Sequence, residues 1–478
     1  MAELYQGKFS GEEIDSRLDN AKRTCRFVIG TSTAGWTESD CDYLCDGTAD
    51  DVEINAAIQA LPETGGKIVI LDGVYNITKE IEINKNNTHI SGNGKATIFK
   101  RGWHSENHGG EDSDFFSGLV LLQNNDSCSI KNITFDNNKE NYESIDGSYN
   151  AAICINNSTN NIVSDNIFIG SDDKDIRICS NNNFIVNNTI KSTKNNNISI
   201  EKGNENYISN NILLGALEIE GRDNDASNNI ITNNTIKDGI SLDRTSMNLI
   251  SQNTIICADS YSIRISRSKN DSITSNMFIG GDYSIYPQFE VDAVTISNNT
   301  TKDCGLILAY DGSVSNSVIN GNYCSYLSTG EPTIVFNNCS NNLIINNYLS
   351  GNQYSDDGTK NIWINNFGDN KYDSGLKIGF FYYTGDDTST RSFTLDFVPK
   401  FCTIYAVKQP PTVADMTTPS ISLCYWANAI QGGENKATQG ALLNGNNLTV
   451  YNDPDLSMSQ TRRKLNASSI DYVVVAWY

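Results

Sequence analysis

The chain has 478 residues, a formal charge of -22 and a pI near 4.5. Its length points to two or three folding units. The acidic excess argues against a nucleic-acid partner or an anionic membrane surface, and no run approaches the ~18 apolar residues of a membrane span.

Taken in chain order, residues 1–40 form an acidic N-terminal segment. Met1 to Asn20 carry Glu3, Glu12, Glu13, Asp15 and Asp19 without an apolar stretch, so no secretory signal is expected. Cys41 and Cys45 are a candidate local disulfide, whereas the cysteines scattered through the middle, Cys154 and Cys257 among them, read as buried thiols. No metal site is expected, because Cys41 and Cys45 lack a second pair or nearby histidines. An amphipathic helix is predicted from Asp50 to Leu61, followed by a strand from Lys67 to Leu71. Two irregular insertions come next. Residues 101–117 hold Trp103, His104, His108, Phe115 and Phe116, and residues 136–150 hold Tyr142 and Tyr149. Long loops in a regular scaffold often carry recognition, and their aromatics suit stacking on sugar rings.

From about Leu119 to Phe367 one phrase keeps returning: Asn followed by a short apolar pair, as in Asn166-Ile-Phe, Asn188-Thr-Ile, Asn211-Ile-Leu, Asn234-Thr-Ile, Asn253-Thr-Ile and Asn276-Met-Phe. Its spacing is 19 to 25 residues, mostly 22 or 23. An apolar-x-apolar triplet keeps the same rhythm at Ile176-Arg-Ile178, Ile198-Ser-Ile200, Leu217-Glu-Ile219 and Ile240-Ser-Leu242. A third short strand precedes each Asn phrase. Strands this short cannot bury an apolar face alone, so each copy must stack on the next. The predicted fold is all-β, a parallel β-helix of about 22–23 residues per rung over residues 41–370, with the predicted helix capping its open first rung. The asparagines fit tight corners, where Asn tolerates the left-handed conformation and stacked amides form a ladder. After Phe367 the rhythm stops. Residues 375–478 hold alternating, aromatic-rich strands, predicted to form a β-sandwich.

In register, the position after each triplet brings Glu201, Glu220 and Asp243 into one column, with Glu218 beside it. Stacked like charges raise one another's pKa, and glycoside hydrolysis needs two carboxyls at about this spacing. Glu201, Glu220 and Asp243 are therefore the candidate catalytic residues. Arg177, Glu218, Arg222, Arg244, Arg264, Tyr142 and Tyr149 are the candidate substrate-binding residues. A lyase remains open, with Arg or Lys as base and a carboxylate-bound Ca2+; otherwise no cofactor is expected. The plainer alternative is a solvent face of ordinary Glu, Arg and Lys pairs.

The stretch Cys45-Asp-Gly-Thr-Ala-Asp-Asp51, then Ala56-Ala-Ile, then Gly65-Gly-Lys-Ile-Val-Ile-Leu-Asp-Gly73, resembles the opening of the pectate-lyase-like β-helix superfamily as phage tail proteins use it. Gly7-Lys-Phe-Ser-Gly-Glu-Glu-Ile-Asp is similar to N-terminal segments of phage structural proteins. Together with the repeats, the resemblance covers residues 1 to about 370, and the Tyr-Thr-Gly turn at Tyr383 resembles C-terminal domains of phage tail fibres. It implies a right-handed helix and a homotrimeric tail spike of phage or prophage. Such a spike is made in the host cytoplasm, carried on the virion by contacts of its N-terminus with tail proteins, and acts outside the target cell. The implied partner is a bacterial surface polysaccharide that the spike recognises; the acidic column is the candidate for cleaving it, as a glycoside hydrolase or a lyase. The alternatives are a non-catalytic structural or adhesive virion fibre, and a polysaccharide lyase acting as a free enzyme. Polygalacturonases of the superfamily carry an Asp pair and a Gly-His-Gly motif. Here Ser171-Asp-Asp173 echoes the first alone, and no histidine follows His108.

Overall fold

The computed structural model describes residues 25–478 other than 105–116, 144–150, 172, 193–195, 222–225, 258–260, 310–311, 326–331, 351, 357, 367–377, 396–397, 400, 407–425, 431–440, 452–465, 467, 469–470 and 478. Two compact units divide the chain, Met1–Tyr286 and Pro287–Tyr478.

The first unit is a right-handed parallel β-helix, the hand that parallel crossovers take. Each regular turn sends one strand to one parallel sheet and two to another. In one such turn Ile176–Cys179 joins the first sheet, and Phe184–Val186 and Thr189–Ile190 join the second. Inward positions stack turn upon turn: the fully buried Val163, Ile185, Ile208, Ile231 and Ile250 are successive partners, while Ile162, Phe184, Tyr207, Ile230 and Leu249 beside them stack in register on the outer face. Phe99, Phe135 and Phe168 continue the core as a ladder of rings, with centroids 5.8 and 5.1 Å apart. Each buried side chain of this kind contributes about 1.5–3 kcal/mol. A strand of two to four residues gains that only when its neighbours are in place.

The corners divide between adjacent residues two tasks that the sequence pattern gave to one. The left-handed residue is the one before the repeated Asn, at Asn187 (φ 59°), Asn210 (57°) and Asn233 (57°). The repeated Asn itself is buried and builds the ladder. The Asn188 backbone N–H donates to Asn211 Oδ1 (2.9 Å), and Asn188 Nδ2 donates to the same oxygen (3.1 Å). Asn211 repeats the pattern on Asn234, and Asn234 on Asn253. A second ladder runs through Asn161, Asn183, Asn206, Asn229 and Asn248 to Asp271.

The predicted cap is the helix Asp51–Ala60, which buries Ile54, Ala57 and Ile58. The two aspartates at its start tie it to the strand beneath. Asp50 accepts from the backbone of Gly47 (2.8 Å) and Asn76 (2.7 Å), and Asp51 from that of Thr78 (2.7 Å). The candidate Cys41–Cys45 disulfide is not formed, and every described cysteine is a free thiol. Cys41 Sγ turns to the Thr37 carbonyl, while Cys45 is buried and faces the Asp50 carbonyl.

Within the second unit, parallel strands keep the repeat as far as Ile362–Ile364, with Thr295, Val318, Leu343 and Ile362 in register. Antiparallel sheets follow. One orders Ile378–Thr384, Asp471–Trp477, Phe401–Ala406 and Trp426–Ile430. The other orders Thr390–Thr394, Asn447–Tyr451 and Ala441–Asn444. Cys402, Ile404, Tyr472 and Val474 of the first share one apolar cluster with Leu443, Leu448 and Val450 of the second, as a sandwich requires.

Candidate functional site

The triplets fall in the predicted register. Ile178 pairs with Ile200, Ile200 with Ile219, Ile219 with Leu242, and Glu220 with Asp243. Side chains alternate along a strand, so the isoleucines point inward and the residues between and after them point outward. The outward residues of successive turns are therefore Arg177, Ser199, Glu218, Ser241 and Arg264 in one column, and Cys179, Glu201, Glu220 and Asp243 in the next.

The environment splits the carboxylates into two kinds. Glu201 is 3% exposed and Arg177 0%. Arg177 grips it with both arms, Nε to Oε1 at 2.9 Å and Nη2 to Oε2 at 2.7 Å, and Lys174 adds a contact at 3.2 Å. Burial pushes the Glu201 carboxyl up, but the Arg177 hydrogen bonds and the nearby cations outweigh it and hold it below its ordinary value. The sequence pattern marked Glu201 as catalytic and Arg177 as a substrate ligand. In the structure they are engaged with each other and closed to a dissolved ligand, because a charge at this depth needs its partner. Lys174 was not legible as a member, since it lies in the turn before the strand. Next to it Asp175 is fully buried, accepts from Ser192 Oγ (3.0 Å) and Asn197 Nδ2 (3.1 Å), and is pushed by burial up to about 8.

Glu218, Glu220 and Asp243 form the open part. Glu218 is half-buried and accepts from Asn196 Nδ2 at 2.6 Å and Ser199 Oγ at 3.4 Å. Its pKa is raised, chiefly by burial and further by the charges of Glu220 and Glu201 against the opposing Lys174. Glu220 meets Arg244 at 2.6 Å, and Asp243 meets Arg244 and Arg267, each at 3.0 Å. Arg244 is placed by a left-handed corner (φ 53°) and by donating Nε to the Gly221 carbonyl (3.1 Å). A Cβ at Gly221 would lie 2.0 Å from the Arg244 carbonyl oxygen, so only glycine fits beneath that arginine. Arg264 is exposed two turns from Glu218 in the same column, beyond Ser241. A carboxyl held toward its protonated form, flanked by two arginine-paired carboxylates, is chemically suited to give a proton to an oxygen and to activate water.

Of the loop aromatics, Tyr142 meets His104 edge to face at 5.0 Å. Arg222 and Tyr149 lie outside the described residues. Among the described residues, the group of three metal-ligand side chains that come together is Cys45, Asp50 and Glu53 under the capping helix. Both Asp50 oxygens there already accept backbone hydrogen bonds.

Comparison with known proteins places the fold. Across 98% of this chain and 96% of the other, the Dettilon tailspike protein superposes with a TM-score of 0.55 at 13% identity. The fold is that of the tailspikes. A second tailspike, from E. coli bacteriophage HK620 and in complex with a pentasaccharide, covers 99% of this chain and 96% of its own (TM-score 0.51, 10% identity). ORF18 of Geobacillus virus E2 aligns over 69% of this chain with a TM-score of 0.46 and 14% identity, and this chain spans 66% of its length. The family model of the periplasmic copper-binding protein NosD matches residues 215–379. That stretch contains no histidine, and among its described residues no three His, Cys, Asp or Glu side chains come together to hold a metal ion. No curated protein matches the sequence.

Proposed function

We propose that the chain is a phage receptor-binding tail spike that holds a bacterial surface polysaccharide against the Glu218–Asp243 face and hydrolyses it. Glu218 protonates the leaving glycosidic oxygen, and Glu220 takes a proton from the water that attacks the sugar carbon as the C–O bond breaks. Two residues apart on one strand, the pair is spaced about 6.6 Å along the backbone, within the inverting range of about 6.5–9.5 Å. Asp243 supports Arg244, which with Arg264 receives anionic groups of the polymer, and the Arg177–Glu201 pair fixes the floor. The observation that carries this reading is a half-buried, hydrogen-bonded Glu218 with raised pKa beside the arginine-paired carboxylate of Glu220. The tailspike fold, one example of which is recorded with a pentasaccharide, supports the choice of polymer. Within the same reading the spike is a homotrimer, and residues 1–40 join it to the virion tail.

A non-catalytic adhesive fibre is the second reading. The pairing of Glu220 and Asp243 with arginines favours it, since such pairs also occur on inert surfaces. Incubation with purified capsule or wall polysaccharide separates the two. Hydrolysis releases reducing ends, and Glu218→Gln slows it by at least about a hundredfold while polymer binding persists. Intact polymer that is nonetheless bound leaves the adhesive fibre. Unsaturated uronate in a reaction that Ca2+ chelation stops would replace hydrolysis with the lyase.

A further inference from the structure

A groove of about 750 Å³ lies outside the acidic column, between the outer face of the helix Asp51–Ala60 and the start of the first irregular insertion. Its helical side presents Val52, Ala56 and Gln59, which recur at the spacing of one helix face. Val52 is 59% exposed, an unusual state for valine on a helix that exists to cover apolar rungs. Trp103 and His104 line the groove as well, and both are held in place. The Arg101 guanidinium lies 4.3 Å from the centre of the Trp103 ring and is itself buried, with Nη2 donating to the Ala151 carbonyl at 2.7 Å. His104 is braced by Tyr142. The polar lining is acidic on balance, with Asp51, Glu80 and Glu82 against Lys79. Asn55 is committed to the backbone, donating to the Glu80 carbonyl and accepting from the Glu82 N–H, both at 2.9 Å. Gln59 and Glu82 are exposed.

We propose that this groove is a second carbohydrate-binding site, built for an uncharged oligosaccharide. An immobilised indole beside an exposed valine receives the apolar face of a pyranose with little ordering cost, and the amide of Gln59 and carboxylate of Glu82 suit its rim of hydroxyls. The acidic lining repels uronates and sialic acids. The groove shares no residue with the acidic column but lies on the same outward face. Glu82 pairs with Leu121, Leu121 with Cys154, Cys154 with Arg177, Arg177 with Ser199 and Ser199 with Glu218. At the spacing of parallel strands this puts the two sites about 24 Å apart along the sheet.

The test is ¹⁹F NMR of the full chain carrying 5-fluorotryptophan, with the Trp103 signal assigned by its loss in Trp103→Phe. Maltohexaose and chitohexaose are the neutral probes and hexagalacturonate the anionic one. A saturable shift of the Trp103 signal with at least one neutral hexasaccharide is expected, weakened about tenfold by Val52→Glu and absent with hexagalacturonate. Glu218→Gln leaves the titration unchanged, so the outcome is independent of the hydrolytic reading. A Trp103 signal that no neutral hexasaccharide moves, or that hexagalacturonate moves equally, overturns the proposal.

Discussion

The second asparagine ladder ends on an aspartate within the first unit, and that single exchange makes the stability of the β-helix pH-dependent. Asp271 is 1% exposed and occupies the place that Asn183, Asn206 and Asn229 hold on other turns. Its Oδ1 accepts from the Asn248 backbone N–H (2.8 Å) and Nδ2 (3.0 Å), and Oδ2 accepts from Thr245 Oγ1 (3.3 Å). Burial outweighs these donors and pushes its pKa up to about 6. In the unfolded chain an aspartate titrates near 3.9, so between about pH 4 and pH 6 the folded state keeps a proton that the unfolded state has released. Stability contributed by this group is therefore full below about pH 4 and is lost as pH rises through about 6. The difference of roughly two pH units amounts to about 3 kcal/mol. Asp271→Asn supplies the amide that neighbouring turns already use and abolishes this loss. The variant should match the natural protein near pH 4 and exceed it by up to about 3 kcal/mol at pH 8. Because a solenoid need not unfold in one step, the measurement is hydrogen exchange of the Asn248 amide together with urea midpoints at pH 4, 6 and 8. An equal pH slope in both proteins would refute the assignment of a raised pKa to Asp271.

The remaining predictions concern neighbouring parts of the same face. Glu201→Gln leaves Arg177 buried without its counter-charge and should cost about 3–5 kcal/mol, whereas the double change Arg177→Met with Glu201→Met should recover most of it; thermal unfolding of the three proteins checks this. Asn211→Ala removes the acceptor of the Asn188 backbone N–H and the side-chain donor to the Ile185 carbonyl, while Asn188 Nδ2 keeps the Val163 and Val186 carbonyls; it should cost about 2 kcal/mol, read as faster hydrogen exchange confined to the adjoining turns. Gly221→Ala should destabilise by about 2 kcal/mol and displace Arg244, so that polysaccharide affinity falls together with thermal stability. Since the described cysteines are free thiols, an excess of reductant should leave the unfolding temperature unchanged in a calorimetric scan.

Much of the fold was legible because a solenoid writes its geometry as a repeat. The apolar triplets and the Asn phrase are local signals, and once they recur every 22 or 23 residues, vertical register follows. The same register puts Glu201, Glu220 and Asp243 in one column. The corner residues were less legible. Asn187 and Asn188 are the same amino acid, and only backbone angles separate the one that turns the chain from the one that builds the ladder.

The sequence by itself thus determined which side chains point outward together, because strand alternation and repeat length are properties of the chain. Tertiary structure decided what each of them does. Glu201 and Glu220 stand one turn apart in the same column, yet Lys174 and the depth of Arg177 draw the first into a closed ion pair. Arg244 holds the second at the surface, and half-burial beside Asn196 raises the pKa of Glu218. Protonation and accessibility depend on the dielectric and charge around a group, and loops and turns far from it in sequence set both.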